Sequence, residues 1–101
     1  MKYRVYQIKA NELSSREKLD ALYDAMMGKV IRGLIGGFYE LAATIEANDL
    51  EEVFNIGNGY GDESAINRHG KMTSVSVGNL VMKEETGEVW ACASVGWEKL
   101  V

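Results

Sequence analysis

Four features of this chain could support chemistry: one histidine, one cysteine, a pair of nearby serines and a glycine-rich loop. His69, in "NRHGKM", is the only histidine among 101 residues. A general base needs a group to orient it and a nucleophile to activate. Ser74 and Ser76 follow closely, but they fall in "KMTSVSVGNLVM" (71–82), whose alternation predicts a strand. Both then share one face as packing or hydrogen-bonding residues. Cys92 alternates onto the side of Trp90 and Ser94 and is expected to be a small core residue rather than a nucleophile. One histidine and one cysteine without ligand spacing offer no metal site. The loop "GNGYGDE" has the composition of a phosphate cradle. It lacks the strand before, the helix after and the Lys-Ser/Thr pair that make such a loop bind a nucleotide. No catalytic set and no cofactor or metal site is expected, so the chain reads as non-enzymatic.

The elements that must position these residues follow from periodicity. "YRVYQIK" (3–9) alternates, with β-branched and aromatic residues, and predicts a strand. Ser14 and Glu17 form an S-x-x-E capping box at the start of a helix ending near Gly28. Its apolar stripe is Leu19, Leu22, Tyr23, Met26 and Val30, opposite Glu17, Lys18, Asp20 and Asp24. Residues 28–37 carry four glycines, each unfavourable in a helix by roughly 1 kcal/mol. They read as a loop or short extended piece, with a helix as the open alternative. "FYELAATIEA" alternates Tyr39, Leu41, Ala43 and Ile45 against Glu40, Ala42, Thr44 and Glu46, a half-buried strand.

Asn48 or Asp49 can cap a short helix, "DLEEVFNIGN", lined by Leu50, Val53 and Phe54. A polar loop of about fifteen residues follows, a length uncommon in compact domains unless functional. "TSVSVGNLVMKE" and "EVWACASVGWEKL" then flank "ETG" as a hairpin with Gly87 left-handed. The expected fold is a single α+β domain over residues 1–101, ordered β-α-β-α-β-β. Its sheet should have about four mostly antiparallel strands, with the helices packed on one face.

Charge narrows the partners. The net charge of −4 argues against direct nucleic-acid binding, which usually leaves a basic patch. Lysines and arginines are interspersed among the acids, so the acidity reads as a solvated surface rather than a DNA-like array. No apolar run approaches the ~20 residues of a membrane helix, and a lone thiol fits a reducing cytoplasm. Tyr60 in the loop, with Tyr6 and Trp97 at a sheet edge, are the aromatics expected to be exposed and able to anchor a contact. Few charges blunt the final strands, so a homodimer through a sheet edge is expected.

"LEEVFNIGN" (50–58), "HGKMTSVSVGNLVM" (69–82) and "GEVWACASVGWEKL" (87–100), with the opening "YRVYQIK", resemble the YodL-like small proteins of phages, plasmids and conjugative elements. Asn79 stands where that family usually has Asp, and Trp97 where it has Phe. The resemblance implies an accessory protein of a mobile element that binds a host protein, in the setting of antirestriction and other counter-defence genes such as anti-CRISPR. The candidate partner-binding residues are Tyr60, Asp62, Arg68, His69, Lys71, Ser74, Ser76 and Asn79. The block 74–79 also has a purely local reading, in which Gly78 permits close backbone approach and Asn79 closes an Asx turn. The alternative function is a small-molecule sponge that encloses a nucleotide-like ligand between the glycine-rich segments 28–37 and 57–62.

Overall fold

A computed structural model describes residues 1–101. The strands are β1 (Lys2–Ile8), β2 (Tyr39–Glu46), β3 (Ile66–Arg68), β4 (Leu80–Lys83), β5 (Val89–Cys92) and β6 (Trp97–Lys99). The helices are α1 (Arg16–Met26), α2 (Ile31–Ile35) and α3 (Leu50–Gly57). The six strands form one antiparallel sheet in the order β3-β2-β1-β4-β5-β6, and β1 is inside it with β2 and β4 as neighbours. No helix is long and apolar enough to cross a membrane.

Two strands exceed the expected four. The "polar loop" contains a 3₁₀ turn (Glu63–Ala65) and β3, which pairs with β2 through Ile66↔Ile45 and Arg68↔Ala43. The closing segment is not one strand. A turn in which Ala93 N–H donates to Gly96 O folds β6 back on β5. The hairpin at Gly87 is present, with φ 76°. Both edge strands, β3 and β6, are three residues long and carry Arg68, Glu98 and Lys99. Short charged edges resist edge-to-edge pairing.

The helices lie on both faces, not one. Neighbouring residues of the central strands show this directly. Val5 and Val81 pack with Val53 and Ile56 of α3, whereas Tyr6 and Leu80 pack with Val30 at the start of α2. A β-bulge explains why the alternation of β2 misleads. Val5 pairs with Ala43 but Tyr6 pairs with Leu41, leaving Ala42 as the extra residue. A single extra residue reverses the facing of everything beyond it. Ala43 and Ile45 therefore face α3, and Tyr39 and Leu41 face the other side.

Segment 28–37 is helical at its centre, against the extended reading. The glycines suit close packing there: a Cβ at Gly33 would meet the Tyr39 ring at 2.6 Å and Ile8 Cδ1 at 2.8 Å. Tertiary contact outweighs weak propensity in this short helix.

The largest departure concerns α1. Its cap is Ser15, whose hydroxyl accepts from Lys18 N–H at 3.2 Å, while Ser14 Oγ accepts from Asn11 N–H at 2.9 Å. The buried residues are Ala21 and Ala25, packed with Ile8. The expected core stripe is largely outside, with Tyr23 67% and Met26 63% exposed. In α3, Asp49 caps as expected by accepting from Glu52 N–H at 2.8 Å. There Ile56 joins Val53 in the core, and Phe54 is exposed.

Small residues face inward on α1 because another chain segment presses on it. Gly78 has φ 88°, and a Cβ there would lie 2.1 Å from the Ala25 carbonyl oxygen. Gly78→Ala should therefore destabilise by about 3 kcal/mol or more, since a left-handed non-glycine residue and overpacking each cost roughly 1–3 kcal/mol. Urea unfolding reads the loss, and a value under about 1 kcal/mol, typical of an ordinary substitution, contradicts this contact.

Candidate functional site

The run 71–82 becomes sheet only at Leu80. Residues 71–77 make no strand ladder; a buried side chain, Gln7 of β1, 3% exposed, is their main hydrogen-bonding anchor. Gln7 Nε2 donates to Thr73 O at 3.0 Å and to Asn79 Oδ1 at 3.0 Å, while its Oε1 accepts from Thr73 N–H at 3.2 Å. Asn79 Oδ1 also accepts from Ser76 N–H at 3.0 Å, a local backbone bond as expected, but one that reaches back three residues instead of closing an Asx turn. Val75 points inward under α3 and is 1% exposed, with Asn58 Nδ2 donating to its carbonyl at 2.9 Å. Tyr39 Oη donates to Gly78 O at 2.6 Å. The block "SVSVGN" is thus a locked connection. Its Asn79 is spent on the lock, and Ser74 and Ser76 remain on the exposed side.

The lock forms one wall of a cleft of about 460 Å³. Leu22, Ala25 and Met26 of α1 make the opposite wall, and residues 7–11 close the end. Lys71, Ser76 and Asn79 of the candidate residues line it. The sequence reading missed Gln7 and Lys9, also in the lining. Gln7 carried a signal, as a polar residue alternating in phase with Tyr3 and Val5, both buried.

The other candidates lie apart. His69 Nε2 is 3.0 Å from Thr44 Oγ1 on an open, polar part of the sheet with Arg4, Glu46 and Glu84, and no group bonds Nδ1. Its partner is Thr44, not Ser74, Ser76 or Cys92. Arg68 pairs with Glu63 at 3.2 Å. Asp62 Oδ1 accepts from the Ser64 hydroxyl and N–H, which hold its carboxyl below the usual range. Tyr60 is 83% exposed, whereas Tyr6 and Trp97 are half-buried. Cys92 is buried, and burial pushes its thiol up. A search of protein-family models, curated proteins and solved structures gives no match. The geometry must speak alone.

What it describes is a rigid frame with unspent polar groups at the cleft mouth and an uncovered apolar ridge on α1. Leu19, Tyr23, Met26 and Met27 lie at helical spacing outside the packed alanines. On the flank of α1 facing α2, Asp24 and Asp20 take ion pairs from Arg32 at 3.2 and 3.9 Å. Segments 28–37 and 57–62 lie on opposite faces of the sheet, so they do not enclose one ligand.

Two consequences of the lock are measurable. Asn79→Ala removes the acceptor of both Ser76 N–H and Gln7 Nε2 and should cost about 1–3 kcal/mol. Asn79→Asp keeps an acceptor oxygen and should stay within about 1 kcal/mol of the parent in the same urea experiment. Equal losses would mean that the amide's donors matter instead.

Burial pushes the Tyr39 hydroxyl up to about 12 from an ordinary value near 10. The folded state favours the neutral phenol, so this stability is complete below about pH 10 and is lost as pH rises from there through about 12. Tyr39→Phe should flatten the alkaline limb of stability against pH. An unchanged limb would assign it to Tyr3 and Cys92, both also shifted upward by burial.

Proposed function

We propose that this protein acts by stoichiometric binding to a host protein in the bacterial cytoplasm, as an accessory of a phage or other mobile element. The resemblance to the YodL-like family supplies the counter-defence setting, with a restriction or CRISPR component as the target class. The observation that carries the binding mode is the ridge on α1 with its neighbours on α2. Tyr23, Met26, Met27, Ile31 and Ile35 are each more than 60% exposed. Side chains of this size and exposure present an apolar area on the order of several hundred Å², the scale of patch that marks a contact site. That approaches the ~800 Å² each partner contributes to a standard interface.

Charge favours the same class of partner. Proteins that process nucleic acid carry basic surface, and a chain of net charge −4 is steered toward it. Self-association through the sheet edges draws little support from two short, charged strands.

The ridge residues are outside the core, so replacing them tests binding without unfolding the chain. Tyr23→Glu with Met26→Glu should keep the parent urea midpoint while lowering capture of a defence complex from host lysate at least about tenfold. The same variant should lose any effect on phage plating over defended hosts. If the parent captures no host protein and leaves plating unchanged, the proposed function fails. If the variant captures as well as the parent, the ridge is not the contact.

A further inference from the structure

The cleft at the end of β1 has a charge character opposite to that of the molecule. Acidic residues outnumber basic ones, 15 to 11, yet the only charged residues lining the cleft are Lys9 and Lys71. Neither takes part in an ion pair; the six basic side chains and one terminus that do are elsewhere. Lys9 lies along the chain leading to Lys71, its Nζ 3.3 Å from where a Cβ of Gly70 would be. Two lysines therefore line one recess that no carboxylate lines.

The other lining groups divide by whether their bonds are spent. Gln7 and Asn79 are engaged with each other and with the 73–79 backbone. Asn11 Oδ1 is used by Leu13 N–H. The hydroxyls of Thr73 and Ser76 have no hydrogen-bond partner and are free to donate. The apolar part of the lining is made of Ile8, Leu22, Met26 and Val77. The volume, about 460 Å³, falls in the range of small-molecule sites.

We propose that this cleft binds a small organic anion, one that joins an aromatic or aliphatic body to a phosphate or carboxylate. The lysines act as point charges, so they accept either head group without a fixed geometry. Thr73 and Ser76 hydroxyls complete the polar end. The body lies on Leu22 and Met26 of α1, where burial of apolar surface adds to the attraction. The site shares Met26 with the ridge contact but none of its polar groups, and it relocates the small-molecule reading away from the glycine-rich segments, which the sheet separates. A host-protein contact is not required for it, so either can fail alone.

The test is an NMR titration of the isotope-labelled full-length protein with three probes: AMP, octanoate and inorganic phosphate. AMP or octanoate should give saturable shifts confined to residues 7–11, 22–26 and 71–79. The Lys9→Gln, Lys71→Gln double variant should bind that probe at least about tenfold more weakly, a factor of ten being one unit on the affinity scale. A matched control, Lys2→Gln with Lys83→Gln, lowers the charge equally outside the cleft and should bind within about twofold of the parent, as expected where long-range charge is screened. Inorganic phosphate lacks the apolar body and should be at least about tenfold weaker than the better organic probe. Whichever of AMP and octanoate binds more tightly identifies the body. Flat titrations with both organic probes, shifts outside these segments, equal loss in the two double variants, or phosphate binding as tightly as the organic anions each overturn the proposal.

Discussion

Much of this structure depends on Gln7, a polar side chain in an otherwise apolar position. Its amide is buried at the end of β1, where an unbonded donor or acceptor would be costly. Every bond it makes goes to residues 73–79, of which 73–77 have no ladder of their own. This one side chain therefore substitutes for a missing strand pairing. Together with Tyr39 Oη donating to Gly78 O and Gly78 N–H donating to Cys92 O, it fixes where the chain turns at Gly78, and so where β4 enters beside β1. From β4 onward the hairpin and β6 follow from pairing alone. Val75, next along the chain, is fixed beneath α3 by its own packing with Val53 and Ile56 and by Asn58 Nδ2, which donates to its carbonyl, so the clamp and α3 hold the segment from its two sides.

The clamp also explains the alanines of α1. Because Gly78 is pressed against the Ala25 carbonyl, only small side chains fit on the inner side of the helix. Ala21 and Ala25 occupy it, and the larger apolar residues are displaced outward. The hydrophobic periodicity of α1 correctly marks a helix but assigns its faces wrongly. Periodicity reports spacing, not which side meets the sheet; that choice was made by a glycine more than fifty residues away. The same limit applies to β2, where the alternation is real but the bulge at Ala42 divides it between two faces.

What was legible in the sequence was local. β1, α1, α3 with its Asp49 cap, and the hairpin at Gly87 each carry a self-sufficient signal. β3, β6 and α2 do not. Each is three to five residues long and exists because a neighbour supplies hydrogen bonds or packing. The candidate residues divide in the same way. The eight named from sequence are neighbours along the chain, but folding sends them to a cleft, a sheet face and an exposed loop. Lys9 was invisible as a member because it is sixty-two residues from Lys71 in the sequence and joins it only in the folded chain. Asn79 has a role that uses one oxygen, so an aspartate, as in the YodL-like pattern, serves the same two bonds.

Met26 connects the two surfaces of α1. It is on the outer ridge, and it also lines the cleft. An unbranched thioether side chain has several rotamers of similar energy and takes the shape its surroundings impose. A ligand lying against it from the cleft and a protein burying it from the ridge therefore compete for, or agree on, one conformation. Linkage then requires each to alter the other's affinity by the same factor. The sign depends on whether both select the same rotamer. Packing α1 through alanines thus leaves the fold with a helix whose larger side chains are available on two sides, coupled at a single flexible residue.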